Sequence, residues 1–134
     1  MTFSTASMFG IHEQALSIRT RRAEILASNI ANADTPGYKA QDLDFKTALK
    51  NAQENISSGT NIALTNDKHL NIENIGSDSA IMFRQNYQPD TGDGNSVDIN
   101  IERMAYMQNS LEYQTTIEFL NSRINGLRKV IAGE

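Results

Sequence analysis

Residues 106–131 read "YMQNSLEYQTTIEFLNSRINGLRKVI", and the spacing within them decides the fold. Tyr106, Ser110, Tyr113, Ile117, Leu120, Ile124, Leu127 and Ile131 follow one another in alternating steps of four and three. That is the a/d repeat of a coiled-coil helix, whose period of about 3.5 residues keeps one seam turned toward a partner. The ends are marked as well. Asp98 can accept hydrogen bonds from the first free amides of a helix, Glu102 suits its electropositive first turn, and Gly133 suits a left-handed exit. The pattern predicts one helix of roughly 50 Å.

A second amphipathic helix is expected over residues 8–33. Met8, Ile11, Ala15, Ile18, Ile25, Leu26, Ile30 and Ala33 fall within roughly 140° of one another when wound at about 100° per residue. Such a helix is roughly 39 Å long. The stretch "ASNIANADTPGYKAQDLDF", residues 27–45, then stops it. Pro36 turns Thr35 away from the helical region, and Gly37 permits a positive φ. Asn32 and Asp34 are suited to bond the backbone groups left without partners at a helix end. Tyr38, Leu43 and Phe45 supply apolar anchors that fold the outgoing chain back onto a helix or onto a neighbour.

Between the two helices the texture changes. Residues 51–79 are rich in Asn, Ser, Gly and Asp, with short apolar clusters such as Ile62-Ala63-Leu64 and the pair Ile72, Ile75. Residues 81–87 suit a short strand, closed off by Pro89 and the turn-forming run Asp90-Thr91-Gly92-Asp93-Gly94-Asn95. The expected architecture is therefore mainly α: two long terminal helices packed as an antiparallel coiled-coil hairpin around a small irregular or short-β middle segment. Residues 1–50 carry the N-terminal helix, the Pro-Gly turn and the anchor segment. Residues 51–96 form the polar middle, and 97–134 the C-terminal helix, so that the two ends make one structural domain.

Composition narrows the function classes. A chain of 134 residues makes about one domain. Its apolar fraction of 39% lies below the usual level of about 45–50%, and it has no Trp, so the core is expected to be thin or elongated. A net charge of −4 and a pI near 5.1 offer no basic excess for nucleic acid. The cluster Arg19, Arg21, Arg22, beside Glu13 and Glu24, reads as a solvated helix face. Without cysteine there is no disulfide framework and no thiolate metal site. No run of about 18 apolar residues spans a membrane, and the N-terminus lacks a secretory signal pattern. Any exit from the cytoplasm is expected to use a route without a cleaved signal peptide.

Catalytic templates fail one by one. His12-Glu13 begins a zincin-like pattern, but Leu16 stands where the second imidazole belongs. His69 lies alone in the polar middle. Residues 91–102 have the length of a calcium loop, yet Thr91 replaces the first carboxylate and Ser96 the turn glycine. There is no phosphate-cradling loop and no nucleophile elbow. The expectation is a non-enzyme without cofactor, metal or small-molecule substrate. Met104, Met107, Leu111 and Phe119 lie off the seam and widen the apolar surface of the C-terminal helix, which calls for cover from another chain.

Three stretches carry a family resemblance. "ILASNIANADTPGYKAQDLDF" resembles the N-terminal signature of the flagellar rod, hook and hook-associated axial proteins. "DGNSVDINIERMAYMQNSLEYQTTIEFLNSRINGLRKVI" is similar to the C-terminal half of the basal-body rod proteins, and "ALTNDKHL" resembles a segment from their middle. The short chain points to the proximal rod. The resemblance implies a structural subunit, exported unfolded through the flagellar type III apparatus and polymerised into a helical tube that transmits torque. Its partners would be further copies of itself, other rod proteins, the inner-membrane ring and the adaptor that joins ring to rod. Packing and assembly would rest on Ile18, Ile25, Ile30, Asn32, Pro36, Gly37, Tyr38 and Phe45, with Tyr113, Ile117, Leu120, Ile124, Leu127 and Ile131 on the C-terminal helix. A soluble helical adaptor or export chaperone would show the same apolar seams, but as a finite complex and not a polymer.

Overall fold

The computed structural model describes residues 5–57, 80–84 and 92–133, the side chains of residues 5–9 and 55–57 excepted. In chain order the elements are α1 (Thr5–Ala31), β1 (Gln41–Leu43), α2 (Phe45–Ser57), β2 (Ile81–Phe83) and α3 (Ile99–Ala132). The two long terminal helices dominate: α1 has 27 residues and α3 has 34, or about 40 and 51 Å at the usual rise. They run antiparallel. Asn29 near the end of α1 bonds Glu102 near the start of α3, and Arg19 bonds Glu112 further along, each pair of numbers adding to 131. By the same pairing Thr5 lies opposite Gly126, so the end of α3 runs past the described start of α1.

The ends of α3 follow from its sequence. The Asp98 side chain accepts from the amides of Asn100 (2.9 Å) and Ile101 (3.3 Å). Gly133, at φ 77°, closes the other end with its own amide on the Lys129 carbonyl. Helix α1 starts before the expected Met8 and stops at Ala31, short of the expected Ala33. The early stop is a tightening of the last turn: the Asn32 amide is shared between the carbonyls of Ser28 (3.1 Å) and Asn29 (3.2 Å), and Ala33 donates to Ile30 (3.3 Å). Thr35-Pro36-Gly37-Tyr38 then forms a type II turn. Tyr38 donates its amide to the Thr35 carbonyl (3.3 Å), and Gly37 sits at φ 73°.

After the turn the chain makes β1, which pairs antiparallel with β2 in the register Gln41↔Phe83, Leu43↔Ile81. The strand expected over 81–87 is present as β2, residues 85–87 lying outside the described ones. Helix α2 was not anticipated. Asp44 caps it, accepting from the amides of Lys46 (3.0 Å) and Thr47 (3.3 Å). Phe45, Ala48, Leu49 and Ala52 fall at i, i+3, i+4 and i+7, and that face closes on a core of Ile18, Ile25, Leu43 and Ala80. Among the described residues few large side chains are wholly buried, the apolar ones being Leu26 and Leu43. At about 1.5–3 kcal/mol each, they make a modest core, and polar contacts fix how the elements sit on it. Among the described residues, no helix is long and apolar enough to cross a membrane.

Candidate assembly surface and its polar support

A closed ring of charged and amide side chains ties four of the five elements together. Arg22 of α1 grips Asp42 of β1 with both ends of its guanidinium, Nε to Oδ1 at 2.8 Å and Nη2 to Oδ2 at 3.0 Å. Arg84, directly after β2, donates to Asp42 Oδ2 (2.5 Å) and to Glu102 Oε1 of α3 (2.7 Å). The other Glu102 oxygen accepts from Asn29 Nδ2 (3.0 Å), which returns the ring to α1 seven residues from Arg22. Two cations thus meet two carboxylates in planar, charge-assisted pairs. Glu102 is only 1% exposed, so removing Arg84 would leave a buried charge uncompensated.

The electrostatics of the ring agree with its geometry. Burial pushes the Asp42 carboxyl up, but the hydrogen bonds from Arg22 and Arg84 outweigh it and hold the group below the usual carboxylate range. The bond to Asp42 raises Arg22 in return, against the opposing effect of burial. Glu112 follows the same logic, lifted by burial and drawn down further by Gln108 and Arg19.

Asn29 does more than close the ring. Its Nδ2 also donates to the Gln41 carbonyl (2.6 Å), while its Oδ1 accepts from the Gln41 amide (3.1 Å) and the Tyr38 hydroxyl (3.3 Å). A fully buried side chain thus pairs with the main chain of β1 as another strand would. Asn95 performs a parallel task at the end of α1. Its Nδ2 donates to the carbonyls of Asn32 (3.1 Å), Ala33 (2.8 Å) and Thr35 (2.9 Å), while its Oδ1 accepts from the Val97 amide (2.8 Å). Backbone bonds from Gly37 to Asp93 (2.9 Å) and from Ser96 to Tyr38 (3.0 Å) hold the Pro-Gly turn against the chain entering α3.

Further along the hairpin, Asn109 donates to the Arg19 carbonyl (2.9 Å) and Arg19 pairs with Glu112. The Arg19 guanidinium carbon lies 4.1 Å from the centre of the Phe45 ring, a cation–π contact that seats α2 against α1. The outer side of α3 has no such cover among the described residues. Met104, Met107, Leu111 and Phe119 stand exposed there, Met107 at 72%, and the tip adds Val130 and Ile131, the latter at 85%. A shallow groove lined by Glu118, Asn121, Ser122, Asn125, Gly126 and Lys129 lies on α3 alone, so it is the surface of one helix and not a cleft. Among the described residues no three His, Asp or Glu side chains are grouped to hold a metal ion.

The residues singled out in sequence divide into two groups. Around the turn the structure brings them together: Ile18 and Ile25 are buried in the core, Phe45 packs on it, and Ile30 is half-buried. Asn32 bonds the Ser28 carbonyl (2.8 Å) and the Thr35 hydroxyl (3.2 Å), and Tyr38 reaches Asn29. Pro36 and Gly37 are exposed. On α3, Tyr113, Ile117, Leu120 and Leu127 are half-buried, whereas Ile124 and Ile131 are exposed. The two fully buried α3 residues are Glu102 and Asn109, neither of them on the apolar seam.

Asn29, Asn109, Asp42 and Arg84 were given no role by the sequence, Asn95 entered only as a turn former and Glu102 only as a first-turn residue, while Arg19 and Arg22, read as part of a solvated helix face, are instead largely buried in ion pairs with Glu112 and Asp42. Two signals were present. Asn29 falls four after Ile25 and three after Leu26, on the core face of α1, while Glu102 and Asn109 stand one heptad apart.

Among the described residues, a thin core, a polar brace at one end and a long apolar helix face left open suit a subunit that assembles with others. Comparison with known proteins gives that class a family. The family model described as "Flagella basal body rod protein" matches residues 9–39, a span holding most of α1 and the Pro-Gly turn. The chain is 50% identical over 134 residues to the flagellar basal body rod protein FlgB of Aeromonas hydrophila, covering 100% of this chain and 99% of that one. It is 38% identical over 127 residues to FlgB of Proteus mirabilis, at 92% of each chain, and 39% identical over 125 residues to FlgB of Salmonella typhimurium, at 90% of each. The chain belongs to the flagellar basal body rod proteins of the FlgB type.

Proposed function

We propose that the chain is a structural subunit of the proximal rod of the bacterial flagellar basal body, polymerising through α1 and α3 into a helical tube that transmits torque. The observation that carries this reading is the outer apolar face of α3 formed by Met104, Met107, Leu111 and Phe119, which nothing among the described residues covers, together with Ile131 on the seam, left open at the tip. Covering Met104, Met107, Leu111 and Phe119 would contribute about 1.5–3 kcal/mol each, or about 6–12 kcal/mol together. Association costs about 4–15 kcal/mol, so one such contact is marginal and several neighbours are needed. Contacts of a head-to-tail kind propagate into a helix instead of closing into a dimer. The neighbours are other copies and other rod proteins, with the inner-membrane ring and its adaptor at the base. The thin core suits passage through the type III export apparatus in unfolded form.

Met107→Asp tests the reading. In the free subunit the new carboxylate stays in water, and the urea midpoint of the purified protein is expected to hold. In a rod it is desolvated at a cost of several kcal/mol. Cells making the variant are expected to export it yet yield basal bodies without a rod on fractionation and electron microscopy. Rods at wild-type level with both Met107→Asp and Leu111→Asp would sink the proposal. An adaptor or chaperone would instead lose a finite complex on size-exclusion chromatography and show no polymer at all.

A further inference from the structure

The apolar seam of α3 does not by itself say how α3 lies along α1. Ile117, Ile124 and Ile131 repeat at seven, as do Tyr113, Leu120 and Leu127. Sliding α3 by one heptad puts Ile124 where Ile117 was and Leu127 where Leu120 was, with the apolar surface almost unchanged. The slide moves the tip by about 10.5 Å. What changes is polar. Asn109 would come opposite Asn29 in place of Glu102, Thr116 would come opposite Arg19 in place of Asn109, and Arg84 would lose one of its two carboxylates, keeping only Asp42.

We propose that Glu102 and Asn109 form a register lock, two buried polar residues one heptad apart that select a single alignment of α3 on α1 and thereby set how far its apolar tip projects. Buried polar groups contribute little net stability but penalise every arrangement that leaves them unpaired. Glu102 and Asn109 are 1% and 2% exposed, and both reach α1, Glu102 through the Asn29 side chain and Asn109 through the Arg19 carbonyl. The chain entering α3 is also tied down, by Asn95 and by the backbone bonds from Gly37 to Asp93 and from Ser96 to Tyr38, and the experiment has to separate that latch from the lock.

The absence of native cysteine makes the alignment readable by disulfide formation. By the pairing that joins Asn29 to Glu102, Ala15 lies opposite Thr116, so Ala15→Cys with Thr116→Cys reports the native register. Ala15→Cys with Arg123→Cys reports the slipped one, which in the native alignment is too distant to bridge. In the parent only the first pair is expected to cross-link. Replacing the lock by apolar residues, Glu102→Leu with Asn109→Leu and Arg84→Met, is expected to keep or raise the melting temperature while the slipped cross-link increases at least about tenfold. Asn95→Ala alone is expected to lower the melting temperature and leave the cross-link pattern native. If the triple variant does not fold, Asn109→Leu alone is expected to raise the slipped cross-link about threefold, since half of the lock remains. A purely native pattern in the folded lock variants overturns the proposal, and so does slippage caused by Asn95→Ala alone.

Discussion

Replacing Asn29 by Ala is expected to be the most damaging single change in the small sheet and its surroundings. The side chain is wholly buried and makes four hydrogen bonds, to the Gln41 carbonyl, the Gln41 amide, Glu102 and the Tyr38 hydroxyl. The bond to Glu102 is charge-assisted and counts for about 1.5–3 kcal/mol, and the two main-chain bonds about 1 kcal/mol each. The Tyr38 hydroxyl has the Ser28 hydroxyl at 3.2 Å as a second partner, so its loss weighs little. Together these give about 4 kcal/mol, a large share of a typical domain stability of about 5–15 kcal/mol. Urea unfolding followed by circular dichroism is expected to show this as a shift in midpoint with little change in slope. Asn32→Ala serves as the internal comparison. Asn32 is half-buried and its Nδ2 bonds one helix carbonyl, so the loss there should stay near 1 kcal/mol. If Asn29→Ala costs no more than Asn32→Ala, the side-chain bridge between α1 and β1 does not hold the sheet and the ring argument fails.

Further outcomes follow from three single positions. Gly37→Ala is expected to cost about 1–2 kcal/mol, all of it backbone strain, because φ is 73° and nothing lies within 4 Å of the added carbon. Gly126→Ala, in the exposed middle of α3, is expected to stabilise by about 0.5–1 kcal/mol, so equal effects at the two glycines in calorimetry would contradict the turn assignment. The Asp42 carboxyl is held below its ordinary value, so its contribution to stability is complete above the unfolded pKa of about 3.9 and fades as pH falls through the lower, folded value. The urea midpoint of the parent is expected to drop below about pH 4, and Asp42→Asn to flatten part of that drop; an unchanged acid profile in Asp42→Asn would show the pairs with Arg22 and Arg84 to be energetically silent.

The sequence by itself determined the two long helices, the caps of α3 and the turn between α1 and β1. Those features are written in neighbours: Asp98 and Gly133 act on amides and carbonyls a few residues away, the seam of α3 repeats locally, and Pro36-Gly37 sets its own φ angles. Helix α2 was legible in principle from Asp44 and the spacing of Phe45, Ala48, Leu49 and Ala52. Its shortness and polar setting hid it, and of those residues only Phe45 read as an anchor. Tertiary structure alone decided the polar ring, because Asn29 and Glu102 are 73 residues apart and Arg84 and Asp42 are 42 apart, and no local period links them. It also decided that Asn95, one of a run of turn formers in sequence, caps a helix more than 60 residues upstream. Exposure along the seam was decided in the same way. A heptad repeat specifies which residues share a face, but only the relative length and register of α1 and α3 leave Leu127 half-buried and Ile131 open.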